Sequence, residues 1–245
     1  MSKISKVSNQ CTIDSMQVRI PLSDLSKHSS SLTDNTYLVT STGEVISELT
    51  SNRKHQVGDK GLSLQIKGIR HKGRENIDCL VIGAPSKILG SQYFDGITND
   101  SFRIIYDAII GSGLVGVSMD ALLSSGIATD FDIKKDSYFP GHMDFGQYCY
   151  HLKRQAKPTT DIGKGCKVYN NVNDGRGIQF STRKTATAAY PFLKLYDKAR
   201  ELHTKSLSFT RECLPSYDIT GLVRAEVTVK NRQQFKRVIK SADNS

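Results

Sequence analysis

The sequence predicts an α+β protein with a largely antiparallel central sheet and helices packed on one of its faces. The first observation is that short segments in which apolar and polar residues alternate recur along the chain, as they do in strands with one buried face. The second is that a smaller number of segments has apolar residues at helical spacing. The order of these segments favours the α+β class, and the chain has no internal repeat or heptad run.

The first hundred residues are rich in predicted strands. Residues 1–11 are polar and Ser-rich, which predicts a flexible terminus. The strands predicted after this terminus are separated by turn residues and cover 16–22, 36–40, 62–69 and 76–82. We expect one domain over residues 12–240, and a division into sub-halves 12–98 and 99–240 remains open.

Helices and strands are mixed in the remaining sequence. A helix is predicted behind the potential cap at residues 99–101 and ends near Gly111 or Gly113, because Phe102, Ile105 and Ile109 recur at helical spacing. Further helices are predicted over 118–123, 145–155 and 197–205. Further strands are predicted over 127–133, 167–171, 177–183, 192–196 and 222–230.

The composition excludes several classes of protein. Hydrophobic residues make up 38% of the 245 residues, enough for a packed core. No apolar stretch approaches the roughly 20 residues of a membrane span, and the amino terminus lacks a secretory apolar segment, so we expect a cytoplasmic protein without membrane contact. The five cysteines form no C-x-x-C pair, which predicts free thiols. The net charge of +10 indicates a polyanionic partner, although a basic enzyme would also carry it.

Four predicted strands would bring charged side chains and a tyrosine to one sheet face. With a period of two, the residues opposite the apolar positions are, strand by strand, Asp130 and Asp132, then Gln179, Ser181 and Arg183, then Lys194 and Tyr196, then Arg224, Glu226, Thr228 and Lys230. Carboxylates, a tyrosine hydroxyl and cations on one face suit phosphoryl transfer. A solvated face with ordinary salt bridges would give the same alternation, so both readings remain open.

Five segments in fixed order carry a more specific signal. They are Thr12-Ile-Asp-Ser-Met-Gln-Val-Arg-Ile-Pro-Leu22, Gly83-Ala-Pro-Ser-Lys-Ile-Leu-Gly90, Thr129-Asp-Phe-Asp-Ile133, Leu195-Tyr-Asp-Lys-Ala-Arg-Glu-Leu202 and Gly221-Leu-Val-Arg-Ala-Glu226. Together they resemble segments of the filamentous-phage gene II/X replication proteins, relatives of the rolling-circle replication initiators. The chain departs from that pattern at Asp130, where the family has Arg, at Ala84, where it has Ser, and by one residue missing before Gly90.

The resemblance implies a replication-initiator fold and a site-specific DNA nickase and strand transferase. Tyr196 would attack a phosphodiester of the origin, leaving a 5′-phosphotyrosine and a free 3′-OH that primes replication, and reverse attack would religate the strand. Lys198 would stabilise the phenolate or the phosphate, with an ordinary surface residue as its alternative. The implied partners are origin DNA, single-stranded or supercoiled, and a host helicase, with a homodimer also open.

The resemblance also implies metal and DNA ligands. Asp132, with Glu226, Glu201 or Asp136, would hold Mg²⁺ or Mn²⁺, because hard cations take oxygen ligands. Phosphate contacts are expected from Arg183, Lys194, Arg200 and Arg224. For each of these residues except Arg200, an ordinary salt bridge is the alternative.

Several alternatives stay open at this point. The histidines include no His-x-His pair, and His142 is only a weak candidate metal ligand. Tyr190 would be the nucleophile if the strand register were shifted, whereas Tyr148, Tyr150 and Tyr169 are expected in the core. Two other functions compete with the nickase: a non-catalytic, origin-binding regulatory protein, and a metal-dependent nuclease that uses water and forms no covalent adduct.

Overall fold

The structure is a computed structural model, and it describes residues 7, 10–32, 34–39, 41–42, 45–51, 54–70, 76–141, 143–155, 166–171, 175–180 and 192–230. Most of the predicted flexible terminus lies outside these residues. So do the candidates His142, Arg183 and Tyr190.

The regular elements of the described residues combine strands with short helices. The strands are β1 (Cys11–Pro21), β2 (Lys27–His28), β3 (Asp34–Val39), β4 (Val45–Ser51), β5 (His55–Val57), β6 (Leu62–Arg70), β7 (Asn76–Pro85), β8 (Val115–Gly116), β9 (Ile127–Tyr138), β10 (Cys166–Asn171), β11 (Gly175–Phe180), β12 (Phe192–Asp197) and β13 (Leu222–Val229). The α-helices are α1 (Phe102–Gly111), α2 (Met119–Ser125), α3 (Phe145–Gln155), α4 (Lys198–Lys205) and α5 (Leu207–Cys213). Segments of 3₁₀ helix cover Leu22–Asp24, Ser30–Leu32 and Ser86–Asp95.

These elements confirm the α+β class and most of the predicted segments. The helix over 145–155 begins and ends where the sequence predicts. Ser118 caps α2 by accepting a hydrogen bond from the Ala121 amide, as an N-cap serine does. Ser101 precedes α1 but makes no side-chain cap, so the predicted cap is wrong in this detail. β2, β4, β5, β8 and α5 are not predicted by the sequence.

The chain divides into two compact units. Unit 1 comprises Met1–Ser15, Leu89–Thr98 and Asp130–Ser245, and unit 2 comprises Met16–Ile88 and Asn99–Thr129. In unit 1 the sheet order is β10-β11-β12-β13-β9 followed by the first residues of β1, and the successive pairs from β10 to β9 are antiparallel. In unit 2 the rest of β1 precedes β7, β6 and β5, and the β5–β6 and β6–β7 pairs are antiparallel.

Two apolar clusters hold unit 1 together. On one sheet face, Phe145 and Cys149 of α3 pack with Ile178 and Val223. A second cluster joins Leu202 of α4 with Leu222 at the start of β13 and with further residues, namely Tyr93, Phe94, Leu214 and Ile219. Because neighbouring residues of a strand point to opposite faces, Val223 and Leu222 anchor β13 on its two sides. The even-numbered side chains that follow Leu222 therefore share one face.

Unit 2 has its own buried residues. Leu62, Leu64 and Ile66 alternate along β6 in the way that a strand with one buried face requires. Ile105 and Ile109, one helical turn apart, are buried on α1. Among the described residues, none of the helices combines the length and apolarity that crossing a membrane requires. All five cysteines are free, as predicted.

Candidate active site

The register of three antiparallel strands in unit 1 brings the predicted polar side chains together. Tyr196 of β12 pairs with Arg224 of β13, and Arg224 pairs with Asp136 of β9. One step along, Glu226 pairs with Lys194 on one side and with Lys134 on the other. Directly paired residues point to the same sheet face, so these side chains form one polar row. This agrees with the predicted second face for Lys194, Tyr196, Arg224 and Glu226, whereas Ser181 and Arg183 lie outside the described residues.

Tyr196 is held by a hydrogen bond to a carboxylate. Its hydroxyl donates to Oε2 of Glu226 over 2.8 Å, and the residue is 9% exposed. Burial raises the pKa of Tyr196 well above its ordinary value, and the charge of Glu226 adds to this shift while Arg224 opposes it. Across the ladder, Tyr196 pairs with Gly177 of β11, which carries no side chain.

Glu226 joins Tyr196 to a lysine. Its second oxygen, Oε1, lies 2.6 Å from Nζ of Lys194. The Glu226 side chain is 6% exposed, whereas that of Lys194 is 31% exposed. The three groups therefore form a chain from a partly exposed ammonium through a buried carboxylate to a tyrosine hydroxyl, the arrangement of an oriented acceptor next to a potential nucleophile.

Lys198 lies on the first turn of α4 and points into the same region. Asp197 caps this helix, because its Oδ1 accepts a hydrogen bond from the Arg200 amide over 2.8 Å. The Lys198 ammonium lies 2.6 Å from Glu201 and 5.6 Å from the centre of the Tyr196 ring. Burial, followed by repulsion from Arg224, lowers the pKa of Lys198. The reading of Lys198 as a surface residue is wrong, since it is 2% exposed.

Arg224 lies in the interior of unit 1. It is 0% exposed and binds both oxygens of Asp136, at 2.6 and 2.8 Å, one oxygen of Asp14 at 2.9 Å and the Tyr93 hydroxyl at 2.9 Å. The predicted contact of Arg224 with a DNA phosphate is corrected by this arrangement, because a guanidinium enclosed by four acceptors has no face for a phosphate. It is a buried ion-pair partner.

Three members of this cluster were missed from the sequence, namely Asp14, Tyr93 and Lys134. Asp14 lies at the Ile13-Asp14 pair of the first resembling segment, and Tyr93 lies in the 3₁₀ segment Ser86–Asp95. Lys134 links them, with its ammonium 3.1 Å from Asp14 and 4.2 Å from the centre of the Tyr93 ring. Burial and the charge of Arg224 lower the pKa of Lys134 to about 8. Lys134 alternates with Asp132 and Asp136 along β9, and this spacing was the sequence signal that could have placed it on the same sheet face.

The four predicted metal ligands do not form one site. Asp136 faces Arg224 with both oxygens, and Glu226 is engaged by Lys194 and Tyr196. The oxygens of Asp132 accept hydrogen bonds from Ser15 at 2.6 Å and Thr228 at 2.5 Å, and Glu201 pairs with Lys198. Within the described ranges, no three His, Cys, Asp or Glu side chains come together as a metal site. Among the described residues, the predicted Mg²⁺ or Mn²⁺ ligands are therefore not brought together, and each carboxylate has its own partners.

The other candidates fall in different places. Lys194 is the predicted DNA contact that lies beside Tyr196 and is partly exposed. Arg200 is half-buried and lines a groove of about 230 Å³ together with Val223, on the face opposite the polar row. Tyr148 packs in the α3 cluster, as predicted, but Tyr150 is 55% exposed because it lies on the outer side of α3, so its predicted burial is wrong. The side chain of Tyr169 lies outside the described part of the chain.

Comparisons with known proteins give a structural likeness. No protein-family model matches the chain, and no curated protein matches it in sequence. The chain is similar to a solved structure of a rolling circle replication initiator protein from Geobacillus stearothermophilus, with 12% identity and a TM-score of 0.44. The likeness covers 96% of this chain and 79% of that one.

Proposed function

We propose that this protein initiates replication by nicking origin DNA with Tyr196, and that it later religates the strand. Tyr196 Oη would attack the phosphorus, forming a 5′-phosphotyrosine, and the bond to the 3′ oxygen would break, leaving a free 3′-OH. The phosphodiester energy is conserved in the protein–DNA bond, so attack by a 3′-OH would reverse the step. The protein would act as a site-specific endonuclease and strand transferase in the cytoplasm.

One observation carries this proposal: the Tyr196 hydroxyl donates to a buried carboxylate that is itself held by a lysine. A nucleophilic hydroxyl needs an acceptor for its proton within hydrogen-bond distance. The two residues come from two of the segments that resemble the gene II/X proteins, 195–202 and 221–226, of which the second is the most specific. These segments run through adjacent strands, β12 and β13, which supports a shared role.

Among the charged side chains around Tyr196, those that are partly exposed mark the side from which DNA would approach. Lys194 and Glu201 keep 31% and 29% of their side chains exposed, whereas Arg224 and Lys134 are enclosed. Lys194 is therefore the cation proposed to meet the scissile phosphate, and Lys198 stabilises charge at the ring it approaches. The net charge of +10 favours a polyanionic substrate.

Further features of the proposal follow from the resemblance. One is a requirement for Mg²⁺ or Mn²⁺, for which we assign no ligand among the described residues. The others are contacts with a host helicase and with a second copy of the chain. Arg183 and Arg200 are proposed to bind the DNA backbone. Tyr196 is proposed as the nucleophile in preference to Tyr190.

A covalent-capture experiment tests the proposal. A library of single-stranded oligonucleotides with a randomised centre and a 3′ label is incubated with the protein and Mg²⁺ or Mn²⁺, then resolved on a denaturing protein gel. The attacked 5′ phosphate belongs to the labelled fragment, so we expect label to migrate with wild-type protein. Sequencing of the captured strands then gives the cleavage site.

The control variants share one chemical change. Tyr196→Phe removes the proposed nucleophile and should abolish the adduct, whereas Tyr150→Phe removes an exposed hydroxyl and should leave it intact. Cleavage without an adduct would identify a nuclease that uses water. An adduct that survives in Tyr196→Phe would assign the reaction to another residue. If the protein binds the oligonucleotides but does not cleave them, it is a DNA-binding protein without nicking activity.

A further inference from the structure

We propose that Glu226 is the catalytic proton acceptor for Tyr196 and that Lys194 is the residue that positions it. The inference rests on the proposed function and gives Glu226 a role different from that of a metal ligand. It concerns the three side chains in the polar row that are joined end to end.

The hydrogen-bond pattern distinguishes Glu226 from the other carboxylates of the cluster. Its Oε2 accepts the Tyr196 hydroxyl over 2.8 Å, within the reach of direct proton transfer. Asp136 is occupied by Arg224, and Glu201 by Lys198. Asp132 accepts from Ser15 and Thr228 instead.

Lys194 fixes the orientation of the acceptor. Its ammonium binds Oε1, so Oε2 remains directed at the tyrosine. Lys194 and Glu226 are directly paired across β12 and β13, and Tyr196 is two residues from Lys194 on the same face. Two rigid strands therefore set the geometry of all three groups, which favours a reproducible distance between hydroxyl and acceptor.

In the proposed step, proton transfer to Glu226 accompanies the attack of Tyr196 on phosphorus. The O–H bond of Tyr196 breaks and its proton passes to Oε2 of Glu226, while the oxygen forms a bond to phosphorus. The P–O3′ bond breaks, and its electron pair leaves with O3′, which takes a proton from solvent water. In the reverse reaction the 3′-OH gives its proton to solvent water as it attacks phosphorus, the bond from phosphorus to the tyrosine oxygen breaks, and the protonated Glu226 returns a proton to that oxygen.

The burial of the acceptor is consistent with this role. Glu226 is 4% exposed, so bulk water does not compete freely for its oxygens. A carboxylate in such a position strengthens its hydrogen bonds, because the local dielectric is lower than that of water. Lys194 compensates its negative charge in the ground state.

The test compares carboxylate variants in the adduct assay, using the oligonucleotide captured by wild-type protein. Glu226→Gln keeps the size of the side chain but not its basicity, and we expect adduct formation to slow by about 10²–10⁴-fold. Glu226→Ala should be equally slow, and added formate should accelerate it at least about tenfold by replacing the missing carboxylate. Glu212→Gln, on an exposed position of α5, should keep the wild-type rate.

Titration with Mn²⁺ separates proton transfer from metal binding. The proposal expects the half-saturating Mn²⁺ concentration of Glu226→Gln to equal that of wild type, measured on the residual adduct or by direct binding of Mn²⁺. A large rise in that concentration would make Glu226 a metal ligand and overturn the inference. Adduct formation by Glu226→Gln at the wild-type rate would overturn the inference as well.

Lys194 is tested independently, so the inference remains falsifiable if a Glu226 variant does not fold. Lys194→Met should slow adduct formation about tenfold or more in the wild-type background, and Lys194→Arg should restore most of the rate because it keeps a cation beside Oε1. In the Glu226→Gln background Lys194→Met should have no further effect, whereas a direct phosphate contact would slow that variant too. Equal rates for Lys194→Met and Lys194→Arg would exclude the positioning role. An absence of adduct with wild-type protein would instead refute the proposed function itself.

Discussion

Arg224 and Asp136 form a two-pronged ion pair across adjacent strands, with Nε 2.6 Å from Oδ1 and Nη2 2.8 Å from Oδ2. Both residues are almost completely buried. The pair lies next to Tyr196, which faces Arg224 directly across the β12–β13 ladder. The geometry that holds the proposed nucleophile therefore depends on charges that are withdrawn from water.

The first prediction concerns the loss of this arginine. Arg224→Met removes the guanidinium partner of the buried Asp136 and of the partly exposed Asp14, and we expect the free energy of unfolding to fall by roughly 3–5 kcal/mol. Denaturant unfolding followed by circular dichroism measures the change. Arg103→Met, which breaks an exposed pair with Asp107, should cost about 0.5 kcal/mol or less. Similar losses in the two variants would contradict the interpretation.

The second prediction concerns the pH dependence of stability. Lys134 has a folded-state pKa of about 8 against an ordinary value of 10.5. Between these two values the unfolded chain holds more protons than the folded one, so the free energy of unfolding rises with pH. From about pH 7 to 9.5 the contribution of Lys134 is about 2 kcal/mol.

Comparison of variants isolates this contribution. Lys134→Met should lose that part of the rise, whereas Lys135→Met, at the exposed neighbouring position, should keep the wild-type slope. The pH range stops below 10 because the raised pKa values of Tyr93 and Tyr196 act in the opposite direction at higher pH. Unfolding midpoints in urea at several pH values provide the measurement. Equal slopes in wild type and Lys134→Met would refute the prediction.

The polar row could be predicted from the sequence because it depends on local alternation. A period of two fixes which side chains of β12 and β13 share a face, so Tyr196, Arg224 and Glu226 were assigned together. Alternation does not say which distant segment covers that face. Tyr93 is 131 residues from Arg224 in the chain, and its contact depends on tertiary packing. For this reason Arg224 was expected to bind DNA, although it is enclosed.

The missed elements lack the pattern on which such predictions rely. Val45, Ile46 and Leu49 of β4 do not fall on one face of a strand. In α5 none of the seven residues is fully buried, and only Phe209 and Cys213 pack partly against a core cluster, so the apolar pattern that would mark a helix is short. The metal ligands are expected from the resemblance alone, and the pairing of their carboxylates with Arg224, Lys198 and Lys194 is decided in three dimensions.

The third prediction concerns a close approach of two chain segments within unit 1. Gly96 has a φ of +73°, and a Cβ there would lie 2.6 Å from Cβ of Thr12 and 2.8 Å from the carbonyl oxygen of Ile13. Gly96→Ala should therefore lower the free energy of unfolding by roughly 2–4 kcal/mol, from backbone strain and steric overlap together. Gly58→Ala has a similar φ of +65° but open space around it, and should cost about 1–2 kcal/mol. Thermal unfolding of both variants tests the difference, and equal losses would show that overlap at Gly96 is relieved.

The last prediction concerns cysteine reactivity. Burial, with a further contribution from Asp144, raises the pKa of Cys149 to about 12, and the residue is 0% exposed on the inner side of α3. Its thiolate fraction at pH 8 is on the order of 10⁻⁴, so alkylation has to await local opening of the α3 cluster. Cys11 is exposed at the start of β1 and needs no such opening. We expect iodoacetamide to modify Cys11 in the native protein while Cys149 reacts only in denaturant, as read by peptide mass spectrometry. Equal rates at the two thiols under native conditions would mean that α3 does not stay packed on β10 and β11, and the sheet that orients Tyr196 would then be less rigid than its hydrogen bonds indicate.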